Sequence, residues 1–265
     1  MKLNQKYGQW ALIAGASEGI GAAFSSYLAA EGFDLILIAR GKEKLDQFAA
    51  SLKEKHSINI SCLYIDLASE NAFTEIQDAI RGKEMGLFVY NAALSYIGPF
   101  EKNTMLEHEQ LAQVNMILPM KLSQLIGGNM LNRGRGAVVL MASLAGFQGS
   151  GFLSAYGASK AFNRVLAEGL WYEWKERGVD VIACCAGATS TPNFIKTKPG
   201  KTSLFAPKVQ SPEEVVDECM KRIGKDASFI SGKGNRIASF IMQKLLPRKM
   251  AITIMGDTTR KMYRL

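Results

Sequence analysis

Three polar side chains in the stretch 140–161 have the types and the spacing of a proton-transfer site. Ser143 follows an apolar run, and Tyr156 and Lys160 are four residues apart, so on a helix they would share one face. A free tyrosine titrates near pH ~10, but a neighbouring ammonium and a position near a helix N-terminus both lower its pKa. The pattern predicts a general acid/base pair of Tyr156 and Lys160, with Ser143 beside it.

The same residues have an ordinary structural interpretation. In a lysine-rich chain with 8 tyrosines, a tyrosine four residues before a lysine also arises by chance, as an interface tyrosine beside a solvated lysine. Ser143 by itself is a residue at a strand end. The chemical interpretation therefore depends on elements that would bring these side chains to one cleft.

The composition is that of an ordinary globular protein. Of 265 residues, 48% are hydrophobic and 21% are charged, which suits a substantial core and argues against disorder. No apolar run approaches the ~18 residues that span a bilayer, and the first residues lack a signal-peptide pattern, so we expect a cytoplasmic protein. Neither the histidines nor the cysteines have metal-site spacing, and we expect no metal and reduced core thiols: His56, His108, Cys62, Cys184, Cys185 and Cys219.

The net charge of +8 is concentrated at the C-terminal end of the chain. Residues 221–265 carry eleven Lys/Arg and two Asp, whereas residues 1–220 carry 21 basic and 22 acidic side chains. There is no nucleic-acid-binding motif and no interleaving of aromatic and basic residues, so we expect no nucleic-acid partner. The basic character belongs instead to a C-terminal extension over about residues 232–265.

Short apolar runs alternate with helical patterns along the whole chain. The predicted strands are 10–14, 35–39, 59–65, 86–90, 137–142, 179–184 and 227–230. The predicted helices are 19–30, 42–55, 69–81, 104–131, 154–177 and 211–223. Because continuous apolar strands separated by helices are typical of a parallel sheet covered on both faces, we predict one α/β domain over residues 1–265. It is a doubly wound Rossmann-type domain with a seven-stranded parallel sheet.

A glycine-rich stretch, AGASEGIG at residues 14–21, joins the first strand to its helix. Gly15 permits a tight turn, Gly19 allows close approach of a pyrophosphate, and Gly21 lets the helix pack on the sheet. Backbone N–H groups at the helix start would then meet the phosphates. This order of elements predicts a dinucleotide site.

The residue after the second strand indicates which dinucleotide binds. An Asp or Glu at this position would bind the ribose 2′-hydroxyl of NAD, whereas Arg40 suits the 2′-phosphate of NADP. Arg40 is alternatively a solvated arginine at a strand end, and Glu18 is a counter-signal because it would place a carboxylate near that phosphate. We expect NADP(H) as cofactor, with NAD less favoured.

Residues 8–192 resemble the short-chain dehydrogenase/reductase family. The separations of 13 residues between Ser143 and Tyr156 and of 24 residues between Asn91 and Asn115 fit the family pattern. The other matches are GASEGIG, Asp66 after the third strand, Asn91-Ala92 after the fourth, and YGASK at 156–160. ARGKEKL at 39–45 resembles the branch that holds 17β-hydroxysteroid dehydrogenases and long-chain 3-oxoacyl-CoA reductases.

The resemblance implies a role for each catalytic residue. Ser143 would hydrogen-bond the substrate carbonyl oxygen, and Tyr156 would donate the proton to it. Lys160 would bind the nicotinamide ribose and lower the pKa of the tyrosine, and Asn115 would hold a water in the proton relay.

The resemblance also implies a set of cofactor-binding residues. Asp66 would contact the adenine, Asn91 would stabilise the strand beside the cofactor, and Gly187 and Thr191 would belong to the loop that touches the nicotinamide carboxamide. The full expected set is Gly15, Ser17, Gly19, Ile20, Gly21, Arg40, Asp66, Leu67, Asn91, Tyr156, Lys160, Gly187 and Thr191. The chain departs from the family pattern at three places without losing a catalytic group. Ala14 replaces Thr, Tyr90-Asn91-Ala92-Ala93 replaces Asn-Asn-Ala-Gly, and Ala186-Gly187 replaces Pro-Gly.

The expected function is an NADP(H)-dependent oxidoreductase that interconverts a ketone and a secondary alcohol on an apolar, 3-oxoacyl or steroid-like substrate. The alternative is a dinucleotide-binding regulator or scaffold without turnover. Helices 104–131 and 154–177 are the usual dimer surface of the family, and we expect a homodimer or homotetramer.

Two segments bear on the substrate. A loop at about 188–210 should form a lid, with apolar residues suited to an acyl chain or steroid and lysines suited to an acidic or phosphate-bearing end: Phe194, Ile195, Leu204, Phe205, Lys196, Lys198, Lys201 and Lys208. In the basic extension, Ile237, Phe240, Ile241 and Leu245 follow helical spacing. This piece would pack on the lid, lie on an anionic membrane surface, or simply dock on the body of the protein.

Overall fold

The computed structural model describes residues 2–197 and 209–265, and its central element is one sheet of parallel strands. The strands are β1 (Trp10–Ala14), β2 (Asp34–Ala39), β3 (Ile60–Tyr64), β4 (Met85–Tyr90), β5 (Gly136–Ser143), β6 (Val179–Ala186) and β7 (Ser228–Ile230). Their order is β3-β2-β1-β4-β5-β6-β7, and every pair is parallel. After β3 the chain crosses to β4, which lies on the other side of β1, so the strand order reverses between β1 and β4 and the predicted doubly wound fold is confirmed.

Helices cover both faces of this sheet. They are α1 (Leu3–Tyr7), α2 (Gly19–Ala30), α3 (Lys42–Lys55), α4 (Ala72–Ile80), α5 (Met105–Ala112), α6 (Leu118–Arg133), α7 (Ser154–Trp174), α8 (Pro192–Lys196), α9 (Pro212–Arg222), α10 (Lys233–Phe240) and α11 (Arg248–Tyr263). Helices α2, α3 and α9 build one hydrophobic cluster, and α4, α6 and α7 build the other. Burial of β1, β2 and β4 on both faces explains why these strands read as continuous apolar runs.

The helix predicted over 104–131 is not one α-helix. A π-helical turn at Gln113–Ile117 separates α5 from α6. The cause lies in Pro119, which has no N–H to donate to the carbonyl of Asn115 four residues earlier. The N–H of Leu118 instead bonds to Gln113, and the freed carbonyl of Val114 accepts the hydroxyl of Tyr90.

Two helix starts show how local sequence sets the boundaries. Ser211 caps α9 with a complete capping box to Glu214, as the sequence predicts. The helix expected over 69–81 begins later, at Ala72. The reason is Asp66, whose side chain accepts the N–H of Ala68 and whose carbonyl accepts that of Ser69, so the chain makes a turn first.

The basic extension folds into α10, a π-helical turn at Ile241–Leu245, and α11. Helix α11 docks on the body of the protein with Ala251 and Thr259 buried. The segment 188–197 is also not entirely a loop, since it contains α8, which Thr191 caps through Phe194. Among the described residues, no helix is both long and apolar enough to cross a bilayer.

Candidate active site

The predicted site residues converge on the carboxyl-terminal edge of the sheet. The glycine turn follows β1, Asn91 follows β4, Ser143 ends β5 and Gly187 follows β6. Because the strands are parallel, these ends meet at one edge, and the reversal of strand order between β1 and β4 opens a crevice there.

The glycine turn has the shape that a bound phosphate group needs. Gly15 and Gly19 have φ values of +80° and +56°, which residues with a side chain rarely adopt. A Cβ on Gly21 would lie 1.9 Å from the carbonyl oxygen of Gly15, so only glycine lets α2 approach the sheet this closely. Helix α2 then starts at Gly19 with its first N–H groups directed toward the crevice.

Two neighbouring loops close around this turn. The side-chain amide of Asn91 donates to the carbonyl of Gly15 at 3.0 Å, which ties the end of β4 to the turn. A Cβ on Gly19 would lie 2.8 Å from the Cγ2 of Thr191, which places the loop after β6 over the same cradle. A backbone cradle at a helix N-terminus, packed so closely that added methyl groups would clash, fits the diphosphate of a dinucleotide.

The residues that would select the cofactor lie beside this cradle. Arg40 is exposed just after β2, and the side chain of Asp66 is exposed after β3. Glu18, the counter-signal for NADP, forms an ion pair with Lys44 in the first turn of α3. Lys44 was not among the residues predicted from the sequence, although its position four residues after Arg40 was the available signal.

Ser143, Tyr156 and Lys160 meet at the end of β5. The Nζ of Lys160 lies 5.7 Å from the centre of the Tyr156 ring and donates to the main-chain carbonyl of Met141 at 2.9 Å. Lys160 is only 3% exposed. The hydroxyl of Ser143 caps the short turn that follows β5 by accepting the N–H of Ala145. The three groups predicted from sequence are therefore brought together.

The pKa values correct one expectation. The pKa of Tyr156 is raised, not lowered, because burial outweighs the opposing interaction with the Ser143 hydroxyl, and Tyr263 raises it further. Burial also lowers the pKa of Lys160 to about 8, with a smaller opposing effect from Cys185. The tyrosine in this structure is thus held as a neutral phenol.

Asn115 is fully buried in the π-helical turn. Its amide nitrogen donates to the carbonyl of Leu94 at 2.8 Å and to the hydroxyl of Ser159 at 3.0 Å, and its side-chain oxygen accepts the N–H of Leu94 at 2.8 Å. Ser159 in turn donates to the carbonyl of Tyr156. Asn115 therefore fastens the loop after β4 to the helix that carries the tyrosine, and both of its amide protons are already used.

The C-terminal helix covers the loop between Ser143 and Tyr156. Arg248 donates to the carbonyl of Phe147 at 2.9 Å, and a Cβ on Gly151 would lie 3.3 Å from the Cα of Gly256. At the end of α11, Tyr263 interacts with the hydroxyl of Thr197 and is close enough to Tyr156 to influence its pKa. Sequence reasoning missed Tyr263 because it lies 107 residues from Tyr156 and carries no motif.

Part of the predicted lid can be placed. Phe194, Ile195 and Lys196 belong to α8, beside the site. Lys198, Lys201, Leu204, Phe205 and Lys208 lie outside the described residues. Gly187 packs against Asn235 of α10, whose amide would lie 2.5 Å from an added Cβ.

The fold and the site define a dinucleotide-binding oxidoreductase of the α/β class. The family described as short chain dehydrogenase matches residues 9–202. The chain belongs to this family, as the resemblance of its motifs predicted. No group of three His, Cys, Asp or Glu side chains in the described part of the chain is arranged to hold a metal ion.

Two relatives and two solved structures refine the placement. A 7beta-hydroxysteroid dehydrogenase of Clostridium sardiniense is 34% identical over 89% of this chain and 90% of its own. The human very-long-chain 3-oxoacyl-CoA reductase is 30% identical over 82% of this chain and 69% of its own.

Among solved structures, one from a study of 7beta-hydroxysteroid dehydrogenase stereoselectivity superposes with a TM-score of 0.91 at 30% identity, covering 96% of this chain and 99% of that one. A short-chain dehydrogenase of Sphingobium yanoikuyae in complex with NADPH gives 0.75 at 29% identity, covering 84% and 87%. The two relatives named above, a hydroxysteroid dehydrogenase and a 3-oxoacyl-CoA reductase, match the branch that the sequence suggested.

Proposed function

We propose that this protein is an NADP(H)-dependent carbonyl reductase/alcohol dehydrogenase acting on a bulky apolar substrate. The observation that carries the proposal is the meeting of Ser143, Tyr156 and Lys160 at the same sheet edge as the glycine cradle. A bound nicotinamide cofactor supplies or accepts the hydride. The residues of this chain supply the proton and hold the oxygen that receives it.

The phenol of Tyr156 is the proposed proton donor. Its raised pKa keeps it protonated at neutral pH, as an acid must be before it transfers a proton to a developing alkoxide. The hydroxyl of Ser143, at the end of the rigid strand β5, would hold the same substrate oxygen by a hydrogen bond. Buried Lys160 would supply the positive charge that favours proton loss and would bind the nicotinamide ribose.

If Asn115 holds a water in the proton relay, one of its polar atoms must be free to bind that water. Both amide protons are donated to protein acceptors, so the side chain offers no free donor. The main-chain carbonyl of Asn115 has lost its α-helical partner because residue 119 is proline. We assign the relay water to this carbonyl, which makes the π-helical turn part of the proposed mechanism.

Preference for NADP(H) rests on Arg40 together with Lys44. Arg40 is exposed after β2 and would meet the ribose 2′-phosphate, and Lys44 pairs with the carboxylate of Glu18 that would otherwise repel this phosphate. Replacing Arg40 by Asp should shift preference toward NADH, and Lys44→Met should weaken NADPH binding while leaving NADH binding unchanged. Steady-state kinetics with both cofactors measures this. Equal use of NADPH and NADH by the unmutated protein would contradict the assignment.

A bulky apolar substrate is supported by the walls of the site. Helix α11 closes over the loop before Tyr156, and α8, which carries Phe194 and Ile195, is followed by Thr197 beside Tyr263 of α11. We propose that the segment 188–210 acts as the lid and that the extension 232–265 completes the substrate pocket. The named relatives act on hydroxysteroids and on very-long-chain 3-oxoacyl-CoA, which makes these the two substrate classes to test first.

A homodimer or homotetramer is proposed from the surface of α5 and α7. Met105, Leu106, Val165 and Tyr172 are large hydrophobic side chains exposed on these helices. Helices α5 and α7 contact each other, and large exposed apolar side chains on neighbouring helices favour an association site. Sedimentation equilibrium of the purified protein would give its mass.

Tyr156→Phe tests the catalytic proposal. It removes the acidic hydroxyl and little else, so turnover should fall at least ~10²-fold while NADPH binding is retained. The assay is NADPH oxidation with 3-oxoacyl thioesters and ketosteroids, and NADP reduction with hydroxysteroids. If the unmutated protein binds NADPH but turns over none of these compounds, the regulator or scaffold interpretation is favoured.

A second arm separates the substrate classes. If the lysines of the lid and tail bind an acidic end, a phosphate-bearing 3-oxoacyl thioester should have a lower KM than a neutral ketone of equal length. The advantage should shrink as salt rises. A preference for steroids that does not change with salt would mean that these lysines are solvated surface residues and do not bind the substrate.

A further inference from the structure

Helix α10 has its polar and apolar faces reversed. Its buried residues are polar: Asn235 is 3% exposed and donates to the carbonyl of Ser231 at 2.7 Å, and Ser239 is 8% exposed. Its exposed residues include Lys233 at the start of the helix and the large apolar side chains of Ile237 and Phe240 further along. A helix that merely docked on the body would bury the apolar side and expose the polar one. The outward apolar face therefore needs a partner outside the described body of the chain.

The exposed apolar residues form a continuous row, which we call the α10 row. Ile237, Phe240, Ile241 and Leu245 are 54%, 58%, 41% and 64% exposed, at spacings of three, four and eight residues from the first. The row crosses from α10 into the π-helical turn at Ile241–Leu245. Single exposed apolar residues are common on protein surfaces, but four large ones on one helical face indicate an interaction surface.

The surroundings of the α10 row are strongly basic. From 233 to 265 the chain has eight Lys/Arg and one acidic residue, Asp257. Beside the row, Phe240 and Lys244 help line a groove of about 400 Å³ with Arg222 and Arg236. Arg222 and Arg236 are paired with Asp226 and Glu218, whereas Lys244 has no acidic partner within 4.0 Å among residues 2–197 and 209–265.

We propose that the α10 row and its basic groove dock this protein on an anionic membrane surface. The apolar side chains would enter the headgroup region, and Lys244 with its neighbours would meet lipid phosphates. A second copy of the chain is the poorer occupant. A two-fold interface would place this basic patch against itself and bring like charges together.

Docking would bear on the proposed function without depending on it. The same extension that carries the α10 row also carries Tyr263 to the catalytic tyrosine. A bilayer against the outer face would therefore lie close to the element that closes over the substrate pocket. Membrane binding is measured separately from turnover, so a failure of the docking proposal would not count against the proposed activity, and the reverse also holds.

The test is co-sedimentation of the full chain with vesicles of phosphatidylcholine alone or mixed with phosphatidylglycerol. We expect binding to the anionic vesicles only, weakening as salt rises. Phe240→Ser combined with Leu245→Ser, and separately Lys244→Glu, should each weaken binding roughly tenfold or more. All three residues are exposed, so the variants should fold and keep the NADPH affinity of the parent.

Matched controls exist on the same chain. Phe100→Ser changes a phenylalanine of 57% exposure outside the row, and Lys55→Glu reverses a charge on α3, near the opposite edge of the sheet. Both should bind vesicles as the parent does. Equal binding to neutral and anionic vesicles, no binding, or parent-like binding by the row variants would overturn the proposal. So would a drop in oligomer mass on changing the row, because a second copy would then be its partner.

Discussion

Lys160 should make the stability of the cofactor-free protein depend on pH in a defined direction. Burial lowers its pKa from 10.5 to about 8. At about 1.4 kcal/mol per pKa unit, holding this ammonium in the native state at neutral pH costs about 3 kcal/mol of folding free energy. Below pH ~8 the lysine is protonated in both states, so the whole cost is present.

The sign follows from proton counting. Between pH ~8 and ~10.5 the native state has released the proton and the unfolded state still holds it, so the free energy of unfolding rises with pH. Lys160→Met removes this titration. At neutral pH the variant no longer buries a charge, which raises its free energy of unfolding. It also loses the hydrogen bond to Met141, worth about 1–3 kcal/mol for a charged donor, so its free energy of unfolding changes little overall.

The pH dependence of the difference is therefore the informative quantity. Urea unfolding of parent and Lys160→Met should show the parent gaining about 3 kcal/mol relative to the variant between pH ~7 and ~10.5. Lys55→Met, which removes an exposed lysine, should show no such change. A constant difference between parent and Lys160→Met across this range would refute the reasoning and mean that Lys160 is solvated in the cofactor-free protein.

Two further predictions test the packing of the site. Gly21→Ala should destabilise the protein by about 1–3 kcal/mol and abolish NADPH binding, because its Cβ would lie 1.9 Å from the Gly15 carbonyl oxygen. Gly128→Ala in α6 is the control, since nothing lies within 4 Å of its Cβ, and thermal unfolding would compare the two. Asn115→Ala should cost about 2–4 kcal/mol in urea unfolding, because it leaves the main-chain groups of Leu94 unpaired, and an unchanged midpoint would contradict this role.

The seven strands and the doubly wound fold class were predictable because the signals are local. Most strands are short apolar runs, with polar residues such as Ser61 in β3 and Asp180 in β6 as exceptions, and the glycine turn follows directly from β1. The Ser–Tyr–Lys set was equally predictable, since its members lie within 18 residues and on adjoining elements. At these positions the local propensity agrees with the parallel topology, and structure can be predicted from sequence where the two agree.

The features that sequence reasoning missed depend on contacts between distant segments. The π-helical turn needs both Pro119, visible in the sequence, and the hydroxyl of Tyr90 to satisfy the freed carbonyl of Val114. The reversed faces of α10 could be recognised only once Asn235 was seen to be buried. The sequence left three positions open for the basic extension. The contacts of Arg248 and Gly256 with the loop between Ser143 and Tyr156 show that α11 lies on the body of the protein, whereas the α10 row stays exposed.

The raised pKa of Tyr156 gives the proposed chemistry a preferred starting state. A neutral phenol is ready to donate, so reduction of a ketone needs no prior titration of the tyrosine. Oxidation of an alcohol needs a base, and the charge that would favour the phenolate is Lys160, whose own pKa is about 8. Since both pKa values reflect burial, any group that enters the crevice and changes the polarity around Lys160 would change the tyrosine with it. The burial that the two side chains share would then set the pH at which each direction runs.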